Sequence, residues 1–515
     1  MTRSLLWVVC SSLLLGLFAR VQAPSHWLGL VLFLPFFAAV DQATTMRRAA
    51  LIGWLMSVGY VAAASHWLPG AIHRYTGAPL VACWALLLLG APLLQPQVLA
   101  LALVRKDAGR GAPWLAALAG AAAYVGVEWA APRLLADTLA YGLHPSPWLR
   151  QSADLVGARG LTFALLVANA AILEGLRRLG SRKWRAAAAP LATTVAGVAL
   201  VCAYGAWRVE AHRASAGPTL KVALVQANLT DYAGLANRVG SYEAVRTILD
   251  THYALSAEAK GVDLLVWPET VYPTTFGAAQ SEEGAAFDAE IAAFTRAGGV
   301  PLVFGAYDRD AADAEYNAAF LLEARAMDRA GVYRKTQLFP LTEWVPEALD
   351  SKAFRQSFPW TGTWKRGPGP RTETLLIAGK RTKLAPLICY DALFPGHVAQ
   401  AARGGAELLV TLSNDAWFAR SAGVRLHLFA SAFRSIETRL PQARATNSGI
   451  SALIDATGEI VGATRDDERE VLIGEVRLRG PSSSPFVRLG DWTGPVGLAL
   501  ASLLVGLRTW RARSV

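Results

Sequence analysis

Three reactive side chains stand just beyond short apolar runs in the second half of the sequence. Glu269 follows Leu264-Leu265-Val266-Trp267-Pro268, Lys335 follows Gly331-Val332-Tyr333-Arg334, and Cys389 follows Leu384-Ala385-Pro386-Leu387-Ile388. Acyl transfer through a covalent intermediate needs a nucleophile, a base to activate it, and a positive group or donors where the tetrahedral oxyanion develops. A thiol, a carboxylate and an ammonium supply that set. A free thiol, with a pKa of about 8.5, must be drawn toward thiolate, which a nearby Lys335 favours by charge and Glu269 by accepting the proton. Taken singly each residue has a plainer reading: a Glu or Lys at a strand end is usually a solvated charge, and an apolar-flanked cysteine is more often buried and inert. Cys389 is the only cysteine outside the long apolar runs, so in an extracytoplasmic domain it has no intrachain disulfide partner.

The elements around these residues must bring them together. From the Ala214–Pro218 region onward, short apolar runs alternate with helical stretches. Strands are expected at 219–228, 262–267, 301–307, 317–323, 383–390 and 408–413, with a last β segment at 471–477. Helices are expected at 242–260, 287–297 and 425–438. Near-continuous apolar strands alternating with helices point to an α/β sandwich with covered sheets. In such sheets ligand sites lie at the carboxyl ends of strands, where all three residues fall.

The first two-fifths of the chain has a different character. Overall 53% of the 515 residues are hydrophobic and only 17% are charged, the balance a membrane protein needs. Runs long enough to approach the ~20 apolar residues of a spanning helix lie at 4–19, 26–40, 50–68, 78–104, 113–135, 158–176 and 188–207, with an eighth at 492–507. Arg20 and a second apolar run follow the first, where a cleaved signal would carry small residues. The net charge is +11, but Lys and Arg cluster at the ends of apolar runs and not in aromatic-interleaved patches, which argues against nucleic acid. With the amino terminus inward, the inner segments, among them the one holding Arg110, carry fourteen Lys and Arg. The outer short loops carry five: Arg20, Arg74, Arg133, Arg150 and Arg159. The positive-inside rule then places both termini in the cytoplasm and the long segment between spans seven and eight outside. Glu128, within the fifth run, either touches a substrate head group or pairs with a nearby arginine or helix break.

Three blocks carry a resemblance. Val266-Trp267-Pro268-Glu269, Tyr333-Arg334-Lys335-Thr336-Gln337-Leu338-Phe339-Pro340 with Glu343, and Leu387-Ile388-Cys389-Tyr390-Asp391 with Phe394-Pro395 occur in that order. Together they resemble the signature blocks of the nitrilase, or carbon–nitrogen hydrolase, superfamily. Asn414-Asp415-Ala416-Trp417-Phe418 and Thr446-Asn447-Ser448-Gly449 are similar to further segments of that domain. A nitrilase domain set between seven spans and a final one resembles the apolipoprotein N-acyltransferases, as do Leu51-Ile52-Gly53-Trp54, Val127-Glu128-Trp129 and Gly490-Asp491-Trp492.

The resemblance implies a polytopic α-helical membrane domain of about eight spans plus an extracytoplasmic nitrilase-like α-β-β-α sandwich. The divisions are spans one to seven at 1–207, a linker at 208–218, the catalytic domain at 219–480, span eight at 490–507 and a cytoplasmic tail at 508–515. It implies Glu269 as general base and acid, Lys335 as oxyanion stabiliser and Glu343 as the carboxylate that positions Lys335 or the incoming amine. Tyr390, through its backbone N–H, and Asp391 support the nucleophile. No cofactor or metal is implied, and His252, His397 and His427 lack zinc-ligand spacing. The implied partners are a phospholipid acyl donor, a diacylglyceryl apolipoprotein acceptor and the lipid bilayer of a bacterial inner membrane, with the enzyme a monomer and its catalytic domain periplasmic. The sequence departs from the acyltransferase pattern at Asp391 (usually Glu), Thr342 and Ala419 (usually Gly), Leu235 (near an expected Trp) and His144-Pro145-Ser146-Pro147-Trp148. Two other readings stay open: a membrane-tethered amidase using the same residues with water as acceptor, and an inactive scaffold.

Overall fold

The computed structural model describes residues 2–109, 112–132, 134, 137–324, 329–418, 421–482 and 484–513. Ala419, Arg110 and Arg133, used in the sequence reading, lie outside them. The chain divides into two compact units, Met1–Ala214 with Asp491–Val515, and Ser215–Gly490.

The first unit is helical. Among the described residues, each of the eight apolar runs falls on one helix or on two or three consecutive helices. Among the described residues three segments, Ser25–Gln42, Ala153–Gly180 and Trp184–Ala214, are long and apolar enough to cross a membrane, and Met46–Ala64 with Leu68–Thr76, bent by 71°, makes a fourth if taken as one span. Thr2–Phe18, Leu80–Leu89 and Thr493–Leu507 are shorter apolar helices. The 78–104 run is split into Leu80–Leu89, Ala91–Leu94 and Pro96–Ala108. Pro92 and Pro96 sit in the first turn of the latter two helices, where a missing N–H costs least.

Helices in this unit approach closely where side chains are smallest. A Cβ on Gly126 would lie 2.5 Å from the Leu498 nitrogen, and one on Gly497 would lie 3.0 Å from the Ala122 carbonyl oxygen. These glycines let Pro113–Ala130 and Thr493–Arg513 pack backbone to backbone, the contact that drives helix association where lipid removes the hydrophobic effect. Glu128 is buried and faces Arg159 at 3.5 Å, and Arg159 also bonds Asp491. The arginine-paired alternative for Glu128 is the one observed.

Among the described residues the second unit is built on thirteen strands: β1 (Thr219–Gln226), β2 (Leu264–Val266), β3 (Tyr272–Thr275), β4 (Leu302–Arg309), β5 (Glu315–Leu322), β6 (Arg329–Arg334), β7 (Glu373–Ile377), β8 (Lys380–Ile388), β9 (Leu408–Ser413), β10 (Gln442–Thr446), β11 (Ala452–Ile454), β12 (Ile460–Ala463) and β13 (Glu470–Arg477). One sheet runs β13-β1-β2-β4-β5-β6 with β3 beside β4, and the other runs β12-β11-β10-β9-β8-β7. Alternate residues explain why the strands read as nearly unbroken apolar runs. Val222 and Leu224 of β1 join Leu384 and Ile388 of β8 between the sheets. Ala223 and Val225 instead pack with Ile248 and Ile291 of helices Ser241–Ser256 and Glu282–Gly298. On the far side, Ala385 and Leu387 meet Val398 and Ala402 of Pro395–Arg403, while Leu428 and Ala432 of Ala422–Thr438 cover β11. Both faces of each sheet are covered, giving the expected α-β-β-α layering.

Several expected elements end elsewhere. The 242–260 helix is Ser241–Ser256, and the 383–390 strand stops at Ile388 because Cys389 turns into a 3-10 helix, Cys389–Leu393. Strand β10 reads as polar, Gln-Ala-Arg-Ala-Thr, yet every residue is buried: Gln442 donates to Thr411 at 2.7 Å and Arg444 to Asp415 at 2.8 Å. A polar strand whose partners lie far away in sequence shows no apolar alternation.

Candidate active site

Strand direction sets the site. Strand β2 is parallel to β4, β4 antiparallel to β5, and β5 antiparallel to β6. The chain therefore leaves β2 and β6 at the same end of the sheet, carrying Glu269 and Lys335 there. In the other sheet β8 and β9 are parallel and deliver Cys389 and Asn414 to one end.

Glu269 sits on a turn pressed against β4. The Gly305 N–H donates to the Pro268 carbonyl at 3.0 Å, and a Cβ on Gly305 would come within 2.7 Å of the Glu269 Cα. Only glycine leaves room for this turn. The Glu269 carboxylate is buried and fully engaged: Oε1 accepts from Lys335 Nζ at 3.0 Å and Asn317 Nδ2 at 2.8 Å, and Oε2 accepts from the Asn414 N–H at 2.9 Å. That last bond joins the end of β2 to the end of β9, one sheet to the other.

Lys335 is 2% exposed and donates to a second carboxylate, Glu343 Oε1, at 2.8 Å. Glu343 Oε2 accepts from the Phe339 N–H at 2.8 Å, and Asn317 Nδ2 also reaches Glu343 Oε1 at 3.3 Å. Burial alone pulls the ammonium down, but Glu269 and Glu343 outweigh it and hold Lys335 charged, well above its ordinary value. Burial pushes Glu269 above the usual carboxylate range, Lys335 opposes this, and the charge on Glu343 adds to it.

Cys389 is the first residue past β8, and its φ of 47° lies in the left-handed region. A residue bearing a Cβ is held there only when its surroundings compel it. Asp391 is one such restraint. Its side chain, wholly buried, accepts from the Ile388 N–H at 3.0 Å, the Tyr333 hydroxyl at 2.8 Å and the Gln337 N–H at 2.7 Å. It thus ties the Cys389 turn to the segment just beyond Lys335, a task the short Asp side chain performs at hydrogen-bond distance. The Tyr390 ring packs on Phe339 and Phe394 at centroid distances of 5.0 and 4.9 Å.

Lys335 does pull the Cys389 pKa down, but burial and then the negative charge of Glu269 push it up by more, so the resting sulfur is a thiol. Burial is the larger cause, and the pull of the ammonium does not offset it because two carboxylates already share that cation. Loss of the thiol proton must therefore accompany attack, with the acceptor in place beforehand. Glu269, with its upward shift, is matched to that exchange.

The structure places Glu269, Lys335 and Glu343 in one hydrogen-bonded cluster, with Cys389 within its electrostatic reach. Asn317 and Gly305 were not singled out in the sequence, and Asn414 was named only as part of a resemblance block with no role given to it. The asparagine that opens an otherwise apolar strand, Asn317-Ala318-Ala319-Phe320, was the visible signal for the first.

Two covered sheets with a buried Glu-Lys-Glu cluster beside a strand-end thiol make a carbon–nitrogen hydrolase domain, and residues 221–481 match the family model of that description, "Carbon-nitrogen hydrolase". Residues 11–171 match a second model, "Apolipoprotein N-acyltransferase N-terminal domain". The apolipoprotein N-acyltransferase of Geobacter metallireducens is 29% identical over 98% of this chain and 95% of its own length. That of Azotobacter vinelandii is 32% identical over 91% and 88%, and that of Allorhizobium ampelinum 30% identical over 82% and 78%. The chain belongs to the apolipoprotein N-acyltransferase family, and its apolar helices are those of a membrane protein.

Proposed function

We propose that this enzyme moves a fatty acyl chain from a membrane phospholipid to the N-terminal amine of the diacylglyceryl-cysteine of an apolipoprotein, through a thioester on Cys389. The observation that carries this reading is that relatives named for that activity align over the helical unit as well as the catalytic one. An enzyme for small soluble amides has no use for the helical unit.

In the first half-reaction Glu269 takes the Cys389 proton while the sulfur attacks the ester carbonyl carbon. The oxyanion forms beside the Lys335 ammonium and the Tyr390 N–H. The ester C–O bond breaks, the lysophospholipid alkoxide takes the proton from Glu269, and the acyl group stays on sulfur. In the second half the acceptor amine attacks the thioester, Glu269 accepts the amine proton and returns it to sulfur as the C–S bond breaks. Glu343 holds Lys335 in place through both halves. Because one site serves both substrates in turn, the kinetics are ping-pong.

The proposed setting is the inner membrane of a bacterium. About eight spans, seven within 1–207 and one within 490–507, leave both termini cytoplasmic and the 219–480 domain in the periplasm, reached through the 208–218 linker. The excess of Lys and Arg on inward segments supports that orientation. A monomer suffices, since every site residue comes from one chain. The departures at Thr342, Leu235 and 144–148 bear on how lipid is held and leave the reacting groups intact.

Incubating the full-length enzyme with phosphatidylethanolamine and a synthetic diacylglyceryl-cysteine peptide is expected to yield the N-acyl peptide and lysophospholipid in equal amounts, read by mass spectrometry. Release of free fatty acid with the peptide unmodified would overturn transfer in favour of hydrolysis.

A further inference from the structure

Cys389 is held on both sides, and only one of the two restraints belongs to the expected site. On the strand side Asp391 fixes Ile388. On the other side the Cys389 carbonyl oxygen faces His427 Nε2 at 3.3 Å. His427 comes from helix Ala422–Thr438 on the outer face of the second sheet and is 4% exposed. Its Nδ1 lies 3.0 Å from Asp415 Oδ1 and 3.2 Å from the Arg444 guanidinium, which itself bonds Asp415 at 2.8 Å. Asp415, also bonded by Ser413, keeps its carboxyl ionised down to about 2: burial opposes this, and His427 and Arg444 overcome it. The Phe418 ring, 5.8 Å away, covers the imidazole.

We infer that His427 is a positioning residue for the nucleophile, donating Nε2–H to the Cys389 carbonyl and so holding the left-handed backbone that presents the sulfur. The hydrogen position follows from the partners. A carbonyl oxygen can only accept, so Nε2 facing it carries a hydrogen. The Nδ1 side has both an acceptor and a donor within reach and is satisfied in either state. An imidazole serving as a second base toward the thiol would need a bare Nε2, and that would set lone pair against lone pair at the carbonyl. The Sγ of Cys389, a carboxylate oxygen of Asp415 and a ring nitrogen of His427 all lie within 4.8 Å of one another, so a shift of the ring is felt at the sulfur.

The inference rests on Cys389 being the acylated nucleophile. Its test is the single-turnover rate of Cys389 acylation in full-length enzyme with phosphatidylethanolamine, followed by intact mass. Variants His427→Gln, His427→Asn and His427→Met are compared with wild type, and folding is checked by thermal melting. A Gln amide reaches the Nε2 position and donates there, Met has the same reach with no donor, and Asn reaches only the Nδ1 position. The expected result is His427→Gln close to wild type, with His427→Met and His427→Asn slowed about a hundredfold at saturating lipid and little changed in half-saturating concentration. If Gln is as slow as Met, or all three are as fast as wild type, the inference is overturned. Should Met not fold, the Gln and Asn pair decides. Wild type that acquires no acyl group would overturn the underlying thioester reading, a result separate from any difference among the variants.

Discussion

Glu269→Gln is expected to lower kcat by about a thousandfold while leaving the protein folded. The carboxylate accepts three hydrogen bonds on two oxygens, from Lys335, Asn317 and Asn414. An amide of the same shape has one acceptor oxygen and one NH2. Whichever way it is turned, the NH2 meets a donor: Lys335 and Asn317 on one side, the Asn414 N–H on the other. That mismatch costs about 1–3 kcal/mol, and the larger loss is chemical. The resting Cys389 is a thiol, held so by burial, and an amide cannot take its proton. In the wild type the acid limb of the kcat/KM profile is expected above pH 4.5, the ordinary value for glutamic acid, because burial raises Glu269 and protonating it removes the base. A variant that retained a tenth of wild-type kcat would show that another group takes the proton.

Lys335→Met is expected to be the most damaging substitution to stability as well as to rate. It leaves two carboxylates, Glu269 and Glu343, facing a cavity with the cation between them gone, and removing one member of a buried ion pair costs about 3–5 kcal/mol. Turnover should fall by a further factor of about a hundred to a thousand from loss of oxyanion stabilisation. The two effects separate in the double variant Lys335→Met with Glu343→Gln. Removing one surplus charge should restore much of the melting temperature and none of the activity. Recovery of activity with stability would show that Lys335 acts only as structural glue.

Much of the site was legible because its chemistry sits at strand ends and its blocks are local in sequence. Glu269 and Cys389 each follow a run that is apolar on both faces, and such runs arise where a strand is covered on both sides, as β2 and β8 are, whereas Lys335 follows the half-buried edge strand β6. What no local reading supplies is the pairing of distant segments. Asn414 donates to Glu269 across 145 positions of sequence, and His427 meets the Cys389 carbonyl across 38. The first exists only once the two sheets are stacked, and the second only once helix Ala422–Thr438 lies on the outer face of the second sheet. Strand β10 was hidden for the same reason, since Gln442 and Arg444 find their partners at Thr411 and Asp415 and give no apolar alternation, while β11 and β12 are apolar runs of only three and four residues. The pull of Lys335 toward thiolate was legible, but the larger, opposing effect of burial on Cys389 was not. The structure shows that two carboxylates already share that cation.

In the helical unit, composition located the apolar runs. In the 78–104 run the sequence shows interruptions at Pro92 and Pro96, and in the structure each of them opens a new helix. The glycines at 126 and 497 carry no signal in a hydropathy profile, and their meaning appears only where two helix backbones meet.

The central claim is a thioester on Cys389, and the most direct measurement is the intact mass of the full-length protein after incubation with phosphatidylethanolamine, wild type beside Cys389→Ala. The expected result is a fatty-acyl increment on the wild type, released by hydroxylamine and absent from the variant. An unchanged wild-type mass, under conditions where a small alkylating agent still reaches Cys389, would contradict it.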